Sequence, residues 1–130
     1  MRFFVLLLAL LLPACAGVEP LDRSGMEISV NLRDEHRCSR ISPEIEVSGY
    51  PADTASFAVI LEEQGNPSAS HGGGSWYNDN TGIIPEGALM QYYRGACPPK
   101  GTMRTYQYVV TAYDGNNQPI AKARYVFEQE

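Results

Sequence analysis

Residues 105–127, TYQYVVTAYDGNNQPIAKARYVF, contain the clearest structural signal in the chain. The first part is rich in Tyr, Val and Thr, and its alternation predicts a strand with one buried face, formed by Tyr106, Tyr108, Val110 and Ala112. Asp, Gly and Asn at positions 114–117 are turn formers, and Ile120–Phe127 alternates again. The stretch therefore predicts two antiparallel strands joined by a short turn.

Shorter segments elsewhere also have the composition of β-strands. Residues 26–32 alternate apolar and polar side chains, and residues 44–47 repeat the alternation. Ser56–Glu62 contains a continuous apolar run, which predicts a central strand covered on both faces, and Ser75–Asn78 is a short candidate. Helical periodicity is nearly absent, although residues 86–93 have room for a short turn or two. We therefore expect an all-β fold, an antiparallel β-sandwich.

Two segments predict loops by their composition. Residues 64–74 include three consecutive glycines at 72–74, which we interpret as a flexible hairpin. Residues 96–103 contain two adjacent prolines. Because 130 residues leave room for one hydrophobic core, we assign residues 26–130 to a single domain.

The charge balance and the absence of several motifs exclude a number of functions. Ten Lys and Arg against fifteen Asp and Glu give a net charge of -5, whereas nucleic-acid binding needs a basic surface. The sequence has no Gly-x-Ser-x-Gly, His-Glu-x-x-His or Gly-x-x-x-x-Gly-Lys motif. The adjacent Glu62 and Glu63 are typical of a solvated strand end rather than of an acid–base pair. We expect a non-catalytic protein that uses no nucleic acid, cofactor or metal ion.

The first fifteen residues are typical of an export signal. Arg2 supplies a positive charge and residues 3–12 form an apolar run, which is too short to span a bilayer because spanning takes about 20 residues. The sequence LPAC at 12–15 resembles a bacterial lipoprotein cleavage site, in which the cysteine is acylated. We predict a signal peptide over residues 1–14 and lipidation, including palmitate, at Cys15. The alternative is an ordinary signal peptide whose cleavage would discard that cysteine.

Lipidation at Cys15 would place the protein on a membrane of the bacterial cell envelope. Acyl chains contribute about 0.8 kcal/mol per buried methylene, so two or three chains anchor a protein durably. No Asp follows the cysteine, and by resemblance to sorting in Gram-negative bacteria this favours the outer membrane, with the domain facing the periplasm. Residues 15–25 predict a lipidated tether whose ends, as a flexible coil, lie roughly 15–20 Å apart.

Two further cysteines, Cys38 and Cys97, would remain in the exported chain. An even pair in an oxidising compartment is most simply a disulfide. Zinc bound by these cysteines with His36 and His71 is an alternative, although positions 36 and 38 are too close for the usual spacing of structural ligands. A third option is a pair of free buried thiols.

Two sequence blocks form the most specific pattern in the chain. The first is CSRISPEI at 38–45, followed by PADTASFAV at 51–59. The second is YRGACPPKG at 93–101, which leads into the aromatic-rich strand, and IPEG at 84–87 lies between the blocks. Together they resemble the phosphatidylethanolamine-binding protein family, whose bacterial members are called Raf kinase inhibitor-like proteins. The resemblance implies a large antiparallel sheet packed on a smaller one.

The resemblance also implies a small surface pocket that takes an anion or a phospholipid head group. The family builds it from an acidic loop, a histidine, the Gly-x-Cys-Pro-Pro loop and the start of a later strand. The corresponding candidates in this chain are Glu63, His71, Gly95, Cys97, Arg104 and Tyr106. Among them, Arg104 has a fork of N–H donors that suits phosphate or carboxylate.

The chain departs from the family pattern at several of these positions. Gly65 stands in place of an Asp of the acidic loop, His71 reaches the histidine position only after a two-residue shift, and Arg104 replaces a histidine. The segments after Gly87 and Asp114 are shorter than in typical members. Two functions therefore follow from the resemblance: non-catalytic binding of a small anion, a phospholipid head group or a protein partner, or a structural or adhesion role in a lipoprotein that has lost the pocket.

A further interpretation rests on the aromatic side chains. Trp76, Tyr77, Tyr92 and Tyr93 flank the predicted loops and, if exposed, would suit a sugar or a protein partner. Ordinary burial is the alternative, because a small domain needs core volume.

Mass measurement of the mature protein tests the predicted lipid anchor. We expect a chain that begins at Cys15 and carries the added mass of acyl groups on that residue. An unmodified chain that begins at Ala16 would contradict the prediction and support the ordinary signal peptide.

Overall fold

The strands of the protein form two antiparallel sheets in the computed structural model, which describes Leu21 and residues 25–130. The predicted signal peptide, Cys15 and most of the tether lie outside the described residues. The strands are β1 (Glu27–Val30), β2 (Ile45–Ser48), β3 (Ser56–Glu63), β4 (Asn66–Tyr77), β5 (Ile83–Ile84), β6 (Arg104–Tyr113) and β7 (Pro119–Gln129), with a 3-10 turn at Asp34–His36. The described part of the chain contains no helix that is long and apolar enough to cross a membrane.

The larger sheet has the strand order β4-β3-β6-β7, and the smaller sheet has the order β1-β2-β5. Every neighbouring pair is antiparallel. Strand β1 of the smaller sheet lies against β7 of the larger one. The prediction of an all-β antiparallel sandwich is therefore confirmed.

The hairpin of β6 and β7 forms as the alternation predicts. Val110 pairs with Ala123 in the middle of the hairpin, and Tyr106, Tyr108, Val110 and Ala112 are all buried. The carboxylate of Asp114 holds the turn because its Oδ1 accepts the backbone N–H groups of Asn116 and Gln118. Local sequence therefore determines both the strands and their connection.

The core lies between the two sheets and is made of the inward side chains of both. The smaller sheet contributes aliphatic residues, whereas the larger sheet also contributes aromatic rings and the small alanines of β7. The buried residues include Ile45, Val47, Phe57, Val59, Leu61, Ile84, Tyr106, Tyr108, Val110, Ala121 and Ala123. The free energy gained on burial is roughly proportional to the apolar area removed from water, so this layer is the main stabilising element of the fold.

The prediction of a loop over residues 64–74 holds only for the turn at Gln64 and Gly65. Residues 66–74 belong to β4, and the short candidate at Ser75 lies at the end of the same strand. The glycines are required by close packing, since a side chain on Gly72 would overlap the backbone carbonyl of Tyr92 and one on Gly74 would press against Leu89. Gly73 also exchanges two backbone hydrogen bonds with Gln91. The run of glycines therefore marks the place where a second backbone lies directly on a strand.

Two further predictions need correction. Strand β3 is central in its sheet but is covered on only one face, because its outward-facing Ile60 remains 43% exposed.

Residues 86–93 contain a turn at Glu86–Gly87 and no helix. After the turn, Gln91 forms an isolated β-bridge with Gly73 of β4. The segment 96–103 has neither helix nor strand, as its prolines predict.

Replacement of Gly73 tests the packing interpretation of the glycine run. A Cβ atom at this position would overlap the carbonyl oxygen of Val59, so Gly73→Ala should destabilise the protein by about 1–3 kcal/mol through overpacking. Denaturant unfolding measures the loss. Gly115→Ala is the matched control because nothing lies within 4 Å of its Cβ position. Equal unfolding midpoints for the two variants would contradict the interpretation.

Candidate functional site

A disulfide between Cys38 and Cys97 closes one end of the sandwich. It joins the segment after the 3-10 turn to the Cys-Pro-Pro loop, across a sequence separation of 59 residues. The predicted disulfide is therefore confirmed. The zinc alternative and the free-thiol alternative are both wrong, because each sulfur is bonded to the other.

The residues around the disulfide explain the Gly-x-Cys-Pro-Pro sequence. The N–H of Gly95 donates to the carbonyl of Ser39 at 2.7 Å, and the N–H of Cys38 donates to the carbonyl of Ala96 at 3.2 Å. A side chain at Gly95 would overlap the carbonyl oxygen of His36, so only glycine lets the two segments approach this closely. The motif is thus a packing and cross-linking unit.

Four of the six predicted site residues lie together where β3 ends and β6 begins. Glu63 at the end of β3 is the cross-strand partner of Tyr106 on β6. Arg104 at the start of β6 places Nη1 3.7 Å from Oε2 of Glu63. The ring of His71 on β4 contacts the ring of Tyr106 edge-on, with 5.5 Å between the ring centres. The sheet therefore assembles an acid, a guanidinium, an imidazole and a phenol.

Tyr106 is the most deeply buried residue of this cluster. Its ring stacks on Phe127 at 5.8 Å, and its side chain is almost inaccessible to solvent. Burial raises the pKa of its hydroxyl, the negative charge of Glu63 raises that pKa further, and Arg104 opposes the shift. The phenol therefore stays protonated at neutral pH.

The other two predicted residues, Gly95 and Cys97, lie in the neighbouring loop. This loop is tied to β4 because the N–H of Arg94 donates to the carbonyl of His71 at 2.9 Å. The N–H of Gly95 is already bonded within the protein and the sulfur of Cys97 is in the disulfide. These two residues therefore hold the loop in place, and the polar side chains for a ligand come from the four-residue cluster.

A second polar network, which the sequence did not indicate, braces the 3-10 turn. His36 is buried; its Nδ1 accepts the N–H of Arg33 at 2.9 Å, so its Nε2 carries the proton and donates to Oε1 of Glu86 at 3.0 Å. The guanidinium of Arg33 pairs with Glu35 at 2.8 Å and with Glu86 at 2.7 Å. The hydrogen bond from His36 and the charge of Arg33 lower the pKa of Glu86.

This network does not have the character of a metal site. Glu35, His36 and Glu86 hold ligand atoms within 4.8 Å of one another. However, both nitrogens of the imidazole are engaged, and the guanidinium of Arg33 already pairs with both carboxylates. Two sequence features touch this network, the IPEG sequence around Glu86 and the zinc alternative that included His36, and neither predicts the pairing seen here.

The four aromatic residues singled out in the sequence do not share one exposed surface. Tyr93 is buried and its hydroxyl is 2.8 Å from that of Tyr108, and burial raises the pKa of both phenols. Trp76 packs against the core and stacks with the exposed Tyr77. Tyr92 projects into solvent. Of the four, only Tyr77 and Tyr92 are exposed, so the four residues do not act as one surface.

The two antiparallel sheets define the class: the chain has the phosphatidylethanolamine-binding protein (PEBP) fold. It is similar to YbcL of E. coli, described as a new member of the mammalian PEBP family, with a TM-score of 0.62 and 21% identity over 81% of this chain and 98% of that one. It is also similar to a putative PEBP homologue of Chlamydia trachomatis, with a TM-score of 0.59 and 20% identity over 82% and 98% of the two chains.

No protein-family model matches the sequence, and no curated protein sequence matches it either. The resemblance drawn from the two sequence blocks is therefore confirmed by three-dimensional structure, at a sequence identity where comparison establishes the fold and leaves activity to be argued from the site.

Proposed function

We propose that this protein is a lipid-anchored protein of the bacterial cell envelope whose domain binds a phosphate-bearing small molecule or phospholipid head group without catalysis. The observation that supports this most directly is the cluster of Glu63, His71, Arg104 and Tyr106 where β3 ends and β6 begins. The LPAC sequence at 12–15 supports the anchor.

The cluster suits a ligand that carries both a negatively charged phosphate and a positively charged ammonium group. Arg104 is exposed, and at 3.7 Å its contact with Glu63 is an ion pair rather than a hydrogen bond. Its planar fork of donors therefore remains suited to two phosphate oxygens. The carboxylate of Glu63 beside it is suited to an ammonium group. A phosphoethanolamine head group has these two charges separated by a short linker.

The cluster also favours binding over catalysis. Tyr106 keeps its proton because burial and Glu63 raise its pKa, so it can donate a hydrogen bond but is a poor base. The described residues around it include no serine or cysteine paired with His71. A nucleophile with an adjacent base is what covalent catalysis requires.

A second candidate function is a structural or adhesion lipoprotein that has kept the fold and lost the pocket. The observation that favours it is the pairing of Arg104 with Glu63, which gives each charge a partner within the protein. Binding measurements separate the two candidates.

Titration of the full chain with inorganic phosphate and with phosphoethanolamine tests the proposed site. We expect saturable binding of both, lost in Arg104→Ala because the phosphate loses its cation. Glu63→Gln should abolish the preference for phosphoethanolamine over phosphate, because only the former has an ammonium group. A change of about tenfold in Kd corresponds to about 1.4 kcal/mol, near the lower limit for a hydrogen bond to a charged group.

Arg40→Ala is the control because this arginine is exposed and lies in a different part of the surface. A flat titration of the wild-type chain would reject the ligand site and favour the structural role. Binding that Arg40→Ala weakens as much as Arg104→Ala would mean that phosphate is attracted by surface charge alone.

A further inference from the structure

A groove lies beside the glycine strand, on a part of the surface that the proposed ligand site does not use. It has a volume of about 430 Å³ and is lined by Arg40, Leu89, Met90, Tyr92, Tyr93 and Arg94. We refer to it as the Arg40–Arg94 groove. Its lining combines two cations with apolar and aromatic side chains and contains no acidic residue.

Large apolar side chains surround the groove and are exposed to solvent. Tyr92 is 99% exposed, Met90 is 83% exposed, and Ile41, next to Arg40 in the sequence, is 56% exposed. Single exposed apolar residues are common, but tyrosine, methionine and arginine together are the residue types enriched at protein interfaces.

The backbone that presents these side chains is held in place. Gln91 exchanges two hydrogen bonds with Gly73, and the buried hydroxyl of Tyr93 is bonded to Tyr108. Between them, Tyr92 has a φ of +56°, a left-handed conformation that is rare for a bulky residue. Strained conformations of this kind persist where surrounding contacts fix them and are concentrated at functional sites. A fixed backbone also loses less entropy on binding.

The charge of the groove indicates what kind of partner it fits. Neither Arg40 nor Arg94 has an ion-pair partner within the part of the chain that the structure describes. The protein as a whole has a net charge of -5, so the two arginines make the groove locally positive on an acidic protein. Guanidinium groups pair with carboxylates in a bidentate geometry. The complementary ligand is therefore acidic and has an apolar side chain to cover Tyr92 and Met90.

The position of the groove favours a protein over a membrane as the partner. Glu27 of β1 pairs with Ser48 at the end of β2, and Gly25 lies beside Gly49. Ile41 precedes the opposite end of β2. A tether that enters at Gly25 therefore joins the domain at the other end of the smaller sheet from the groove. This step rests on the proposed lipid anchor, since it places the groove away from the anchored side.

We propose that the Arg40–Arg94 groove binds a protein partner through a segment that carries carboxylates next to an apolar side chain. The arginines pair with the carboxylates, and the apolar side chain covers Tyr92 and Met90. The side chains that line the groove are different from those of the Glu63–Arg104 cluster.

Selection of displayed random peptides on the purified full chain tests this proposal. We expect the enriched peptides to be rich in Asp and Glu with an interspersed apolar residue. For a synthetic peptide of this kind, Arg40→Ala and Arg94→Ala should each raise Kd by about tenfold. Tyr92→Asn should weaken binding similarly, and it keeps the left-handed backbone because Asn tolerates that conformation.

Charge reversal provides the sharper comparison. Arg40→Glu combined with Arg94→Glu should lose the acidic peptides and select basic ones, with an unchanged unfolding midpoint because both side chains are exposed. Arg104→Ala should leave peptide binding unchanged, so failure of the phosphate site and failure of this groove are distinguishable. Peptides without acidic enrichment, or binding that persists after charge reversal, would overturn the proposal. Binding of phosphatidylglycerol vesicles that depends on Arg40 and Arg94, without peptide binding, would also overturn it.

Discussion

The contact between residues 36–39 and 94–97 fixes the loop that lies between the two proposed binding surfaces. The Cys38–Cys97 disulfide and two backbone hydrogen bonds join these segments, which are far apart in the sequence. Arg94 in the second segment bonds to His71 of the ligand cluster and also lines the Arg40–Arg94 groove. One cross-link therefore holds the loop that connects both proposed binding surfaces. In the chain-entropy description, closing so long a loop restricts mainly the unfolded state.

The sequence predicts a strand correctly where its alternation of apolar and polar residues matches the burial of those residues in the fold. The hairpin of β6 and β7 is such a case, because alternation and turn residues specify it without any distant contact. The glycines at 72–74 show the opposite. From composition alone, three consecutive glycines predict a flexible segment. In the structure the backbone of residues 88–92 lies on the strand and leaves no space for side chains at these positions. That requirement comes from a tertiary contact, and the local sequence contains no sign of it.

The site could be predicted in part, because the resemblance supplied residue identities while the structure supplied their geometry. Glu63, His71, Arg104 and Tyr106 are spread over more than 40 positions and meet only through the pairing of β3 with β4 and β6. The network of Arg33, His36 and Glu86 was missed for the same reason. Sequence spacing gives no indication that a 3-10 turn and the segment after β5 come together. Fold similarity near 20% identity likewise leaves function to be decided at the site.

Unfolding of the oxidised wild-type chain beside a Cys38→Ser, Cys97→Ser variant tests the role of the cross-link most directly. Removing a disulfide from a small exported domain typically costs about 2–5 kcal/mol, and we predict a loss in this range. Hydrogen exchange on the same samples should show faster exchange of the Gly95 and Arg94 amides in the variant, because the loop that they anchor is released. An unchanged unfolding midpoint together with unchanged exchange at these amides would contradict the account.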